Sequence, residues 1–259
     1  MDFNSNLNLK RVLILGGTGD ARELADRMDE MPGVEVMTSL AGRTRHPVVR
    51  SPQTRIGGFG GVAGLSQYLR EQHIDLLIDA THPFAEQISG NAAEAAAAVG
   101  IPRLMLMRPG WERREGDCWI EVESHADAAG VLPTLAQRIF LTIGRQELAA
   151  FAHLQDLWFL MRMIDPPSPD AAVPPGRLLL ERGPFDLAEE RSLLQQYKIG
   201  AIVSKNSGGD ATYAKIIAAR ELGIPVVMIQ RAPVPEGDRV ADVEGALAWL
   251  KNRLSPFNN

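Results

Sequence analysis

A glycine-rich turn near the N-terminus has the composition of a phosphate-binding loop. Gly16-Gly17-Thr18-Gly19 follows an apolar run at residues 11–15 and precedes a helical pattern at residues 20–28. Such a turn typically holds a dinucleotide pyrophosphate, because glycines admit the phosphates closely and the helix N-terminus offers N–H donors. Arg22 stands at the third glycine position of the G-x-G-x-x-G pattern, so a tight turn without a ligand is the alternative.

The residues after the second predicted strand favour NADP over NAD. An NAD site usually places Asp or Glu about 20 residues beyond the glycines, to bind the ribose hydroxyls. Residues 36–42 contain no acid; they contain Ser39 and lead into Arg43 and Arg45. A hydroxyl and two guanidinium groups suit a 2′-phosphate, with an exposed basic loop as the alternative.

A second glycine-rich segment, residues 55–61, could approach the same cofactor through Gly58, or could be a flexible surface turn. Thr81 and His82 follow the predicted strand at residues 75–79, at the strand end where such sheets bind ligands. We therefore expect Thr81 to contact the cofactor. His82 could polarise a substrate or bind a carboxylate, and it could equally cap the next helix.

The second half of the chain has a polar segment in the corresponding place. Lys205-Asn206-Ser207-Gly208 follows a predicted strand at residues 201–204 and precedes a helix. This density of donors beside two glycines predicts a cradle for an anion, with a purely structural turn as the alternative.

Alternating strand and helix patterns predict an α/β fold of two successive Rossmann-like units. The strands are continuously apolar, as in parallel sheets covered by helices on both faces. The charged, Gly/Pro-containing segment at residues 108–118 marks the boundary. We therefore expect an NADP-binding domain at residues 1–110 and a second domain at residues 111–259, with a substrate cleft between them. Residues 124–137, a segment starting at residue 146 and residues 241–254 are predicted as helices of the second domain.

Composition excludes several functional classes. The net charge of −5 and pI near 5.6 argue against general nucleic-acid binding. One cysteine, Cys118, excludes an internal disulfide framework. The five histidines do not fall at metal-binding spacing, so no metal site is predicted. No apolar run is long enough for a membrane span or signal peptide, which predicts a cytoplasmic protein. The Tyr-x-x-x-Lys pair of short-chain dehydrogenases is also missing.

Six segments, in this order, resemble those of the precorrin-6A reductase family. They are residues 15–25, 41–44, 55–61, 78–85, 204–209 and 223–229. The resemblance implies NADPH-dependent reduction of precorrin-6A to precorrin-6B in cobalamin (vitamin B12) biosynthesis. It implies a tetrapyrrole substrate rich in carboxylates, which Lys205, Asn206, Ser207 and Gly208 would bind. The reaction also needs a proton, and we expect Asp165, at the end of the strand at residues 158–164, to supply or relay it.

Several alternatives stay open at this level. Asp165 precedes two prolines and could instead cap its loop, in which case His82 or a bound water would deliver the proton. The chain could be another NADP-dependent reductase of a small carbonyl compound, or a non-catalytic NADP-sensing or tetrapyrrole-carrying protein. The sequence leaves open whether the substrate carries cobalt, and it leaves the oligomeric state open.

Overall fold

A computed structural model describes residues 9–42 and 53–254 of the chain. These residues divide into two compact units. One contains the described residues up to Arg108 and from Pro233 onward, and the other contains Pro109–Ala232. Each unit contains one six-stranded sheet, and every described strand pairing is parallel. The predicted α/β class with two Rossmann-like units is confirmed.

The described part of the first unit contains six strands and four helices. Its strands are β1 (Lys10–Leu15), β2 (Val34–Leu40), β3 (Thr54–Ile56), β4 (Leu76–Asp79), β5 (Arg103–Leu106) and β12 (Asp238–Val240). Its helices are α1 (Gly19–Asp29), α2 (Gly61–Glu71), α3 (Glu86–Val99) and α7 (Val243–Leu254). The strand order β12-β5-β4-β1-β2-β3 places the topological switch point, where such sheets bind ligands, at the carboxyl ends of β1 and β4.

The second unit repeats this plan. Its strands are β6 (Trp119–Val122), β7 (Arg138–Thr142), β8 (Trp158–Met163), β9 (Gly176–Leu180), β10 (Ala201–Lys205) and β11 (Val226–Ile229). Its helices are α4 (His125–Val131), α5 (Leu187–Gln196) and α6 (Ala214–Leu222). The order β6-β11-β10-β7-β8-β9 places the switch point between β7 and β10.

Burial of apolar strand residues explains why the two sheets form. In the first unit, Val12 and Ile14 pack with α1 and α7 on one face, while Leu13 and Leu15 pack with α2 and α3 on the other. In the second unit, Phe140, Leu160 and Ile202 form a core beneath α5 and α6. Strands buried on both faces must be apolar throughout, which is why they were visible in the sequence.

The C-terminal segment corrects the predicted domain division. The first boundary lies two residues from the predicted position, but the second unit ends at Ala232. β12 pairs with β5 in the first sheet, and Ala246, Leu247 and Leu250 of α7 join the core that contains Ile14. The C-terminal residues therefore belong to the first unit, and a division at residues 111–259 is wrong.

Two predicted helices also differ. Ser124 caps α4 as expected, its hydroxyl accepting from the N–H of Asp127, but α4 ends at Val131 and a short 3-10 turn containing Pro133 follows. The segment after residue 146 forms only a 3-10 turn, Leu148–Phe151. The strands β3, β6, β9 and β12 escaped prediction because each is short or half-exposed, without the continuous apolar pattern of a central strand.

Candidate functional site

The predicted glycine turn lies at the switch point of the first unit and is tied to both neighbouring strands. The Gly16 N–H donates to the carbonyl of Ser39 on β2 at 2.9 Å. The Thr18 hydroxyl accepts from the Ala21 N–H at 3.0 Å and donates to the carbonyl of Ala80, just beyond β4, at 2.9 Å. Thr18 thus caps α1 and fixes the direction in which the helix N-terminus points.

Open space surrounds two of the glycines predicted to meet the cofactor. A Cβ placed on Gly19 or Gly58 would meet no described protein atom within 4 Å, and neither residue has a positive φ. Neither backbone conformation nor packing within the described residues therefore requires glycine at these positions. No described atom would block a ligand beside this backbone, so the residues present are compatible with a bound pyrophosphate.

Arg55 holds the second glycine loop and was not identified as a functional residue from the sequence. Its guanidinium donates to the carbonyls of Gly57 and Gly58, the latter at 2.6 Å, and lies 4.0 Å from the Phe59 ring centroid. A Cβ on Gly64 of α2 would lie 1.8 Å from the Phe59 carbonyl oxygen, so the loop packs closely on the helix. The signal available in the sequence was an arginine leading a glycine-rich run.

A buried carboxylate organises the end of β4. Asp79, 1% exposed, accepts from the hydroxyl of Thr81 at 2.7 Å and from its N–H at 3.1 Å through the same Oδ1 atom. The Thr81 and Ser89 hydroxyls are 3.3 Å apart. His82 accepts from the Phe84 N–H through Nδ1 at 3.3 Å, the contact expected of a residue that caps the turn into α3.

At the switch point of the second unit, Lys205 pairs with an acid that the sequence analysis missed. Its Nζ lies 3.2 Å from Oε1 of Glu147, with the two side chains 13% and 24% exposed. Arg145 donates to the carbonyl of Pro166 at 3.3 Å, which joins the loop after β7 to the loop after β8. Asp165 lies half-buried in that second loop. Glu147 could have been found by the rule that located Lys205, because it follows a predicted strand.

The other members of the predicted anion cradle have structural contacts. The Asn206 side chain accepts from the Trp111 N–H at 2.7 Å and donates to the Trp111 carbonyl at 3.2 Å. Gly208 has φ +66°, and a Cβ there would lie 1.9 Å from the Pro109 carbonyl oxygen. The Ser207 N–H donates to the Lys205 carbonyl at 2.7 Å. The Ser207 hydroxyl donates to the same carbonyl at 3.3 Å. These contacts hold the loop in shape, and the side chains of Lys205 and Ser207 are its candidates for ligand binding.

Beneath this loop lies a buried charge cluster. Arg162 of β8 and Glu190 of α5 form an ion pair through two hydrogen bonds. The bond from Nη2 to Oε2 is 3.0 Å long, and both side chains are almost fully buried. Lys215 of α6 donates to the Thr212 carbonyl at 2.7 Å and lies 4.8 Å from the Trp111 ring centroid. Burial and the charge of Arg162 lower the pKa of Lys215 from 10.5 to about 7, against the opposing effect of Glu190.

Two predicted cofactor contacts, Arg43 and Arg45, lie outside the described residues. Within the described ranges, the side chains form no cluster of three or more His, Cys, Asp or Glu that could hold a metal ion. No helix there is long and apolar enough to cross a membrane.

Comparison with known proteins gives a consistent set of matches. The family model of precorrin-6x reductase CbiJ/CobK matches residues 11–251. A precorrin-6A reductase of Rhodococcus erythropolis is 54% identical over 244 residues, 93% of this chain and 98% of the relative. A cobalt-precorrin-6A reductase of Methanothermobacter thermautotrophicus is 31% identical, over 88% of this chain and 79% of the relative. The solved structure of CobK precorrin-6A reductase superposes with a TM-score of 0.88 at 42% identity, over 94% of this chain and 97% of that chain.

Proposed function

Because this chain belongs to the precorrin-6x reductase CbiJ/CobK family and is therefore an oxidoreductase of cobalamin biosynthesis, we propose that it reduces precorrin-6A to precorrin-6B with NADPH. The observation that carries the cofactor half of this proposal is the glycine turn at the switch point of the first sheet. A Cβ on Gly19 in this turn, or on Gly58 in the loop after β3, would meet no atom of the described residues within 4 Å.

The first unit would bind the cofactor. Gly16, Gly17 and Gly19 with the α1 N-terminus would hold the pyrophosphate, since a helix N-terminus carries partial positive charge and free N–H donors. Thr81, oriented by Asp79, would contact the nicotinamide half. Ser39, buried on β2 beside the turn, and the two arginines of the following segment would surround the 2′-phosphate. When bound, NADPH supplies the hydride that one ring carbon of the substrate accepts.

Arg43→Ala is expected to weaken NADPH binding selectively. A guanidinium–phosphate contact contributes on the order of 2 kcal/mol, which corresponds to tens of fold in affinity. NADH lacks the 2′-phosphate, so its dissociation constant should hardly change. Fluorescence titration of the wild type and the variant with both cofactors measures this ratio. Equal losses for NADPH and NADH would remove Arg43 from the 2′-phosphate site.

The second unit would bind the carboxylates of the macrocycle. Lys205 has three ammonium hydrogens, so it can keep Glu147 as one partner and bind a substrate carboxylate with another. Ser207 adds a hydroxyl, and Arg145 lies over the neighbouring loop. Asn206 and Gly208 would act by shaping the loop, through their contacts with Trp111 and Pro109. Protonation of the substrate carbon beside the hydride acceptor is assigned to Asp165, with His82 as the second candidate.

Lys205→Ala is expected to raise the KM for precorrin-6A by about tenfold or more, as loss of a charge-assisted hydrogen bond does. NADPH affinity should stay near the wild-type value, because Lys205 lies in the second unit. Lys251→Ala, in α7 of the first unit, is the matched control and should change neither constant. A collapse of NADPH binding in Lys205→Ala would assign the loop to the cofactor instead.

The test of the function as a whole is incubation of the purified protein with NADPH and either precorrin-6A or its cobalt form. The higher identity to the relative named for precorrin-6A favours the metal-free substrate. We expect the macrocycle absorbance to change and one NADPH to be consumed per substrate. Unchanged macrocycle with consumption of a small carbonyl compound would support the alternative reductase, and binding without turnover would support a carrier.

A further inference from the structure

The outer edge of β9 is an open, apolar strand edge. β9 ends the second sheet in the described part of the chain, with β8 on its inner side. Leu178 is 39% and Leu180 is 52% exposed. An exposed apolar edge strand can pair with another strand, because its outward N–H and C=O groups are available for a ladder.

The backbone bonds to β8 determine which residues of β9 point outward. The carbonyl of Pro175 accepts from the Phe159 N–H at 2.8 Å, and the Glu181 N–H donates to the Met163 carbonyl at 2.9 Å. In a parallel ladder, alternate residues bond to the same neighbour, so odd-numbered residues from Pro175 to Glu181 face β8. Leu178 and Leu180 therefore direct their N–H and C=O groups away from the sheet.

The positive charge of Arg177 and the negative charge of Glu181 allow the β9 edges of two copies to complement each other. We propose that two copies of this chain pair antiparallel through β9, about a two-fold axis at Leu179. In this register Leu178 faces Leu180 of the second copy as a hydrogen-bonded pair, which matches the outward groups on both strands. Arg177 then lies opposite Glu181 of the second copy, and the symmetry repeats this ion pair. A two-fold axis at Leu178 or Leu180 would place neither residue opposite a residue of the other charge in the second copy.

A second copy fits this edge better than an unrelated strand does. An unrelated strand would need an acid opposite Arg177 and a base opposite Glu181, at the same spacing, whereas the two-fold axis provides both. Arg177 and Glu181 are exposed and lie on the same face of the strand as Leu179. Within one chain, the Glu181 carboxylate lies 3.8 Å from the Arg162 guanidinium and Arg177 lies 5.6 Å from the Tyr197 ring centroid, so the second copy would add a partner to each. One strand edge buries less surface than the roughly 800 Å² per partner of stable complexes, so we expect a weak dimer, with a Kd on the order of micromolar.

Sedimentation equilibrium of the full chain over a range of micromolar concentrations tests this dimer through a charge-swap series. Arg177→Glu places two acids opposite each other, and Glu181→Arg places two bases opposite each other. Each single variant is expected to dimerise about tenfold more weakly, because like charges across strands repel. The double variant R177E/E181R should dimerise like the wild type. An equimolar mixture of the two single variants should also associate, because each chain then supplies what the other lacks.

Thermal unfolding of each variant serves as the control. Arg177→Glu should keep the wild-type midpoint and therefore decides the test, whereas Glu181→Arg should have a lower midpoint because it places a second cation beside Arg162. Wild-type protein that stays monomeric over the whole range would overturn the proposal. So would a dimer that survives Arg177→Glu unchanged, or a mixture of single variants that associates no better than either variant alone. The measurement uses no cofactor or substrate, so its outcome is independent of the reductase activity.

Discussion

Asp165→Asn is expected to bind NADPH and precorrin-6A normally and to turn over about 10²-fold more slowly. Asparagine keeps the shape of the side chain and removes the acidic proton. Asp165 lies half-buried in the loop after β8, where the Arg145 guanidinium donates to the carbonyl of Pro166 and joins this loop to the segment that carries Glu147.

Asp170→Asn is the matched control, because Asp170 lies in the same loop, is exposed and follows the same prolines. It should turn over at the wild-type rate. Single-turnover kinetics with saturating NADPH and precorrin-6A separates the reaction step from binding, and only the reaction step should be slow in Asp165→Asn. Wild-type turnover by Asp165→Asn would transfer the role to His82 or to a bound water.

Glu190→Gln is expected to destabilise the second unit by about 3–5 kcal/mol, the cost of removing one partner from a buried ion pair. Arg162 would keep its charge in the core, beside Lys215 and without the Glu190 carboxylate. Denaturant unfolding followed by tryptophan fluorescence measures the effect, since three of the four tryptophans, Trp111, Trp119 and Trp158, lie in this unit. Glu189→Gln, on the exposed side of α5, should cost less than about 1 kcal/mol.

The pH dependence of the unfolding free energy provides a second test of this prediction. The folded pKa of Lys215 is about 7 and its unfolded pKa is near 10.5, so the unfolded chain binds more protons between these values. Wild-type stability should therefore receive a contribution from Lys215 that grows as pH rises from about 7 to about 10.5. The gap between the wild type and Glu190→Gln should narrow as pH rises through 7, because Lys215 then loses the charge that Glu190 attracts. A gap that is small and constant with pH would contradict this account of the cluster.

Local sequence patterns were sufficient to predict the parts of the site that are positioned by residues close together in the sequence. The glycine turn between β1 and α1, the donors after β10 and the acid after β8 were each predicted from a strand followed by particular residues. Parallel strands end at one edge of a sheet, so a residue that follows a strand is placed near that edge by chain connectivity alone. Thr81 was predicted by the same rule, whereas its orientation depends on Asp79.

Contacts between residues far apart in the sequence determined the other features of the candidate site. Glu147 and Lys205 are separated by 58 residues, and their pairing depends on β7 and β10 lying side by side. Asn206 was expected to meet a ligand, yet its amide bonds the backbone of Trp111, 95 residues away. Arg55 acquires its role from the fold of the loop that follows it.

The sequence by itself determined the α/β class and the presence of two units. It also determined that the candidate site residues follow strands, and that the motifs occur in the order found in the family. These properties arise from hydrophobic periodicity and from short turns, which involve residues close together in the chain. Only the tertiary structure decided that residues 233–254 complete the first unit and that Lys215 is buried near Arg162 and Glu190. The physical reason is that sheet pairing and burial depend on which distant segments meet, and local patterns do not specify those partners.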